Sequence, residues 1–249
     1  MELSSGTLAA LGIVFGGGIV TGLAGFGFAL VIVPPLLLIY SAPTVTAVAI
    51  SLTLVTGWIV LLDTWRLIER ETVRAILPGA IVGLAAGALL LQAVEEAWIK
   101  LLAGTVVLVF TISTFRGIVP PGAHARGAPP VAGFMSGVLN ISTGMASPPV
   151  ALLFAARNYP PHAFRSSIVA YFYVVDLLAM LLLIQQRLVG WGELQTVAIL
   201  LPAALAGTLV GRRIVRQTSG ERFRQVVVLI LLGTGFVGIV GALRYLWPR

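Results

Sequence analysis

"SGVLNISTGMASPP", residues 136–149, lies within a chain otherwise built from apolar helical stretches. Asn140, Ser142, Thr143 and Gly144, followed by Pro148 and Pro149, each weaken an ordinary spanning helix, so their clustering predicts a break. Irregular backbone at membrane depth survives only where protein buries it or a wet cavity borders it, because an unsatisfied N–H or C=O costs several kcal/mol in lipid. Such a break predicts a site.

The surroundings supply the membrane. Of 249 residues, 58% are hydrophobic and 10% charged, against about 25% charged in soluble domains, and the mean hydropathy is +1.03. No charged residue occurs between Glu2 and Asp63, and further uncharged runs cover 75–94, 101–115, 127–156, 194–211 and 225–243. Residues 166–186 are interrupted only by Asp176. Since about 20 apolar residues cross a bilayer, these runs predict an all-α polytopic membrane protein with no room for a soluble domain. The net charge of +7 comes from arginines in short loops, which reads as a topology signal and not as a nucleic-acid surface. MELSSG carries no basic region ahead of its apolar stretch, so a cleaved signal peptide is not expected. With no cysteine, the chain forms no disulfide and does no thiol chemistry.

Compared with itself, the chain repeats. "LPGAIVGLAAG" (77–87) and "LPAALAGTLVG" (201–211) share Leu-Pro and two glycines four residues apart, a flat strip for close helix packing. Gly22 and Pro34 match Gly137 and Pro149 at one offset, and Asp63 and Asp176 at nearly the same one. The chain therefore divides into 1–119 and 129–249, four hydrophobic elements each, with a Pro/Gly-rich linker at 120–128.

The first element of each half has an awkward length. Residues 6–40 would run about 50 Å as one helix and 128–156 about 43 Å, against a hydrocarbon core of about 30 Å. A kinked crossing and a re-entrant helical hairpin both fit. If all eight elements cross, the sixteen Lys and Arg divide evenly. If 128–156 enters and leaves on one face, that face collects twelve and leaves four on the other, the usual positive-inside asymmetry. For 6–40 re-entrance rests on the duplication alone, because its flanking loops carry no Lys or Arg. Three crossings per half make an inverted repeat with broken helices meeting near the midplane, a transporter arrangement.

In that arrangement Ser142 and Thr143 cap the returning helix, Gly144 permits the turn, and Pro148 and Pro149 fall near its first turn. The N–H groups of that helix start favour an anion. Gly22, Gly25, Phe26 and Gly27 offer backbone for close approach to substrate, and Pro34 and Pro35 kink the second arm. Taken singly, these small residues read as helix packing; the coincidence of breaker, hydroxyls, Asn140 and a symmetry-related partner points to a site. Asp176 lies mid-span, where a carboxyl serves a proton or cation relay or is locked, protonated, to a neighbouring helix. Arg165 shares its helix face about 16 Å away and, with Ser166 and Ser167, attracts the anion at the cavity mouth or snorkels to the interface. Asp63 reads as surface. Trp58, Trp65, Trp98, Trp191 and Trp247 read as an aromatic belt, and Arg212, Arg213, Arg216, Arg222 and Arg224 as an anchor to anionic lipid. His124 and His162 form no metal-ligand spacing, and neither a catalytic triad nor a cofactor motif is legible.

These residues resemble a family. "GGGIVTGLAGFGFALVIVPPLLL" (16–38), repeated in degenerate form as "GFMSGVLNISTGMASPPVALLF" (133–154), with the Leu-Pro-glycine helix in each half, is similar to the sulfite exporter TauE/SafE permeases over nearly the whole chain. The resemblance implies movement of sulfite, sulfonates, sulfoacetate or related small organic anions across a bacterial cytoplasmic membrane. It carries over to Gly22, Gly25, Gly27 and Pro34, and to Gly137, Asn140, Gly144 and Pro149, with Asn140 standing where the family has glycine. The expected protein is a permease, not an enzyme, with no metal or cofactor. Its partners are a small anion, lipid and a coupling proton, and it works as a monomer or homodimer. An uncoupled anion channel and a non-transporting scaffold are the alternatives.

Overall fold

A computed structural model describes residues 5–118, 120, 122–215, 232–236 and 239–240. Among these the chain is helical, without a strand: α1 (Ser5–Ala24), α2 (Phe28–Leu36), α3 (Ala42–Thr64), a 3-10 turn (Trp65–Leu67), α4 (Arg70–Ala93), α5 (Glu96–Phe115), α6 (Ala128–Thr143), α7 (Ser147–Ala156), α8 (Pro161–Gln185) and α9 (Trp191–Val215). Six of them, α1, α3, α4, α5, α8 and α9, are long and apolar enough to cross a membrane. Proline opens several helices, sitting in the first two positions of α3, α6, α7 and α8, where an N–H has no carbonyl to meet.

Both awkward segments are broken where the sequence predicts. Gly25 to Gly27 separate α1 from α2, and Gly144 to Ala146 separate α6 from α7. Gly27 (φ 96°) and Gly144 (φ 75°) take the left-handed conformation that glycine adopts at no steric cost. The first segment departs from the expected pair of half-length arms, because α1 alone has 20 residues and spans about 30 Å. Its glycines 12, 16, 17, 18 and 22 stay inside that helix, since only the left-handed pair beyond Ala24 interrupts the backbone. In α2 the prolines do not kink an arm; the helix ends at Leu36, directly after Pro35. Pro34 cannot donate to the carbonyl of Leu30, which instead accepts from the Thr234 hydroxyl at 3.4 Å.

Two glycine-lined seams organise the bundle. A β-carbon on Gly133 would strike the carbonyl of Ile76, and one on Gly137 that of Ala80; from the other side Gly79, Gly83 and Gly87 meet Pro130, Phe134 and Val138. So α4 and α6 lie parallel in backbone contact. In the same way Gly18 meets Ala204, Gly22 meets Thr208, and Gly207 and Gly211 meet Phe15 and Ile19, which seats α1 parallel to α9. The first helix of each predicted half thus packs on the Leu-Pro-glycine helix of the other. Matched through these contacts, the two seams differ by one helical turn from the match of the Leu-Pro pairs: Gly18 and Gly133 are equivalent, yet they touch Ala204 and Ile76.

Hydrogen bonds fix which helix ends lie together. Ser167 near the start of α8 accepts from the Glu69 amide at 2.9 Å, and the hydroxyls of Thr72 and Tyr159 bond each other. Arg157, just after α7, donates to the carbonyls of Ala123 (3.1 Å) and Ala125 (3.3 Å), just before α6. The two ends of segment 128–156 are therefore neighbours. At the far end of the bundle Thr44 of α3 donates to Glu193 of α9 at 3.2 Å. The short helices α2 and α7 are buried in the centre, with Phe28, Leu30, Ile32 and Phe154 fully enclosed. By contrast Ile81, Val82 and Leu89 of α4 and Leu209 of α9 are exposed, an apolar outer surface suited to lipid.

Candidate functional site

The two breaks border one cavity. It is lined by Thr21 and Gly25 to Ala29 from the first break, Gly144, Ala146 and Ser147 from the second, Thr53 and Gly57 from α3, and Val169, Phe172, Tyr173 and Asp176 from α8. The α8 contribution falls at i, i+3, i+4 and i+7, a single stripe along the helix. Gly57 keeps the opposite wall thin enough for Val169 to lie 3.6 Å from where its β-carbon would be. No Lys, Arg or His belongs to this lining.

The second break is held by a chain of side-chain bonds. The hydroxyl of Ser136 donates to the Ala146 carbonyl at 2.6 Å, and the buried Tyr171 hydroxyl donates to Ser136 at 2.9 Å. This satisfies a carbonyl that the interruption removes from regular helix pairing. Beside it the Asn140 amide nitrogen donates to Asp176 Oδ1 at 2.8 Å, with both side chains buried. Asn140 Oδ1 has no partner. Asn140 thus supplies the partner of the intramembrane carboxyl.

At the first break the polar groups are less spoken for. Thr21 is only 3% exposed and its hydroxyl has no partner; the Thr53 hydroxyl is also without one. The first-turn amides of α2, those of Phe28, Ala29 and Leu30, have no carbonyl within their helix to meet, since Val31 is the first to reach back, to Gly27 at 3.2 Å. A helix start of this kind carries about half a positive charge. In α7 the second and third positions are Pro148 and Pro149, which have no N–H to offer.

Of the residues expected from sequence, Gly25, Phe26, Gly27, Gly144 and Asp176 converge on the cavity, and Asn140 stands directly behind Asp176. Five others are elsewhere. Ser142 and Thr143 do not cap the returning helix: their hydroxyls donate back to Val138 and Leu139 at 2.6 Å, as hydroxyls in a last helical turn can, and the N-cap of α7 is Ala146 with no side-chain cap. Gly22 lies in the seam with α9. Arg165 sits one turn below Val169, outside the lining, where its guanidinium donates to the Gly22 carbonyl at 3.2 Å and its stem fills the space a side chain on Gly25 would need. It closes the C-terminal end of α1, where a cation suits the helix dipole. Ser166 is buried in the same turn. Trp58, Trp65, Trp98 and Trp191 are about half exposed or more, as a belt requires; Trp247, Arg216, Arg222 and Arg224 lie outside the described residues, as does the side chain of Asp63.

Thr21, Thr53, Ser147 and the α8 stripe are lining residues that sequence reading misses. Thr21 had a signal, since it matches Ser136 at the offset that pairs Gly22 with Gly137. Val169, Phe172 and Tyr173 follow from Asp176 by helical spacing, whereas nothing in the sequence marks Thr53. Neither the curated proteins nor the solved structures compared with the chain gave a match. The family model for the sulfite exporter TauE/SafE matches residues 9–237.

Proposed function

The chain belongs to the sulfite exporter TauE/SafE family, and from that premise we propose that this multi-pass membrane protein is a secondary transporter for a small sulfur-containing or organic anion, such as sulfite, a sulfonate or sulfoacetate. One observation carries the reading: two interrupted helices and a buried carboxyl border a single cavity inside an apolar bundle. In this reading the halves form an inverted repeat whose first elements are re-entrant. It is supported by the parallel seams α1 with α9 and α4 with α6, by the Arg157 clasp across segment 128–156, and by the opposite directions that the end contacts give α4 and α9.

The same contacts gather Arg66, Arg70, Arg74, Arg126, Arg157, Arg165, Arg212 and Arg213 at one end of the bundle and leave Arg187 at the other. The arginine-rich end faces the cytoplasm of a bacterial inner membrane. The substrate enters between the breaks, and alternating access exposes the cavity to one side and then the other. An anion in this cavity and an ionised Asp176 in its lining repel each other strongly. Anion entry therefore requires a protonated Asp176, and the proton travels with the anion.

Purified protein in liposomes tests this with sulfite, thiosulfate, taurine, sulfoacetate and simple carboxylates under an imposed pH gradient. At least one should move with saturable kinetics and faster down the proton gradient, and Asp176→Asn should remove the acceleration while the protein still folds. Currents indifferent to that substitution identify a channel. Movement of none of them overturns transport.

A further inference from the structure

We propose that the anion is held mainly at the first break, by the N-terminal amides of α2 with the hydroxyls of Thr21 and Thr53, and that the ligand class is a monoanionic oxyanion. The inference deepens the transport reading and rests on it.

Accounting for each polar group at the two breaks separates them. At the second break Ser136 is engaged with Ala146 and Tyr171, Ser142 and Thr143 with their own helix, and Asn140 donates to Asp176. Two of the first three positions of α7 have no N–H. Of the polar side chains at that break, Ser147, the first residue of α7, is the one in the cavity lining beside Gly144 and Ala146. At the first break the position matching Ser136 is Thr21, buried, without a partner and bordering the cavity. A hydroxyl removed from water and left unpaired is costly unless a ligand completes it. Thr53 brings a second unpaired hydroxyl to the same space from α3, and Phe28 and Ala29 bring the start of a nine-residue helix to it. Hydroxyls and amides converging on one point suit an oxyanion with several acceptor oxygens.

The charge follows from what is missing among the lining residues. No Lys, Arg or His is among the lining residues; the nearest cation, Arg165, packs its stem against Gly25 and turns its guanidinium to the Gly22 carbonyl, so compensation comes from that single charge outside the lining, from the helix start, about half a unit charge, and from neutral donors. Desolvation of an ion rises with the square of its charge, so a dianion enters at far greater cost than a monoanion. A sulfonate or hydrogen sulfite is therefore preferred to sulfate. The two breaks divide the work: one binds the anion, and the other positions the carboxyl.

Thermal shift and liposome flux with methanesulfonate, sulfite and sulfate test the assignment. Wild-type protein should respond to methanesulfonate in preference to sulfate. Thr21→Val and Thr53→Val should each raise the KM for methanesulfonate about tenfold, the loss of one hydrogen bond to a charged group, while Thr21→Ser retains it. Melting of ligand-free Thr21→Val should be unchanged or higher, because a hydroxyl without a partner leaves a buried site; a merely structural threonine would lower it. Ser142→Ala, outside the lining with its hydroxyl engaged by Val138, should leave KM unchanged. If Thr21→Val fails to fold, Thr53→Val carries the test. Unchanged KM in the valine variants, or a preference for sulfate, overturns the inference and leaves the transport reading standing. A wild-type protein that responds to none of the three anions and moves no substrate overturns both.

Discussion

Asp176 and Asn140 form the pair on which the smallest-scale expectations rest. Asn140→Ala leaves a buried carboxyl without its donor and should lower stability by about 1–3 kcal/mol in thermal or denaturant unfolding. Asp176→Asn leaves a neutral group that still accepts from Asn140, so it should unfold near the wild-type temperature and lose only coupling. Gly144→Ala combines a positive φ with a β-carbon 2.9 Å from Ala49, and should cost about 1–3 kcal/mol. Asp176 was legible because an ionisable residue inside an apolar run is costly enough to demand a reason. The bond to Asn140 was not, because the two are 36 residues apart and no periodicity links them. Arg165 shows how a correct face assignment still misplaces a role: it shares the Asp176 stripe, yet its head turns to the end of α1.

Among the elements, breakers located both interruptions, at Gly25 and Gly27 and at Gly144 with the prolines that follow it, where glycine turns the backbone left-handed. Which arm is long was not legible: Gly25, Gly27 and the earlier glycines of α1 read alike in sequence, and only the backbone angles distinguish them. The hydroxyls of Ser142 and Thr143 were misassigned for a related reason, as Ser and Thr serve equally as N-caps and as donors to a preceding turn. Helix packing gives a sharper expectation. Gly137→Val would press a branched side chain onto the Ala80 carbonyl and part α6 from α4, at a cost of about 1–3 kcal/mol or more, measured as a lowered melting temperature. Val131→Ala, on an exposed face of the same helix, should leave it almost unchanged.

For the molecule as a whole, the Leu-Pro-glycine repeat located both seam helices but not their partners, because nothing in a glycine strip says which helix will fill it. The end contacts make topology testable. In the cysteine-free background, His124→Cys and Pro160→Cys should react with an impermeant thiol reagent from one face of the membrane and Gln185→Cys from the opposite face. Labelling of the first two from different faces would contradict the Arg157 clasp. The exchange of partners between α1 and α9 also has a consequence for synthesis. The groove that holds Gly18 and Gly22 is made first, and the ridge that fills it, around Thr208, is made almost two hundred residues later. At roughly 5–20 residues per second, a nascent α1 waits on the order of ten seconds or more with bare backbone turned toward lipid. The cell's insertion machinery must shelter that helix until its mate emerges from the ribosome.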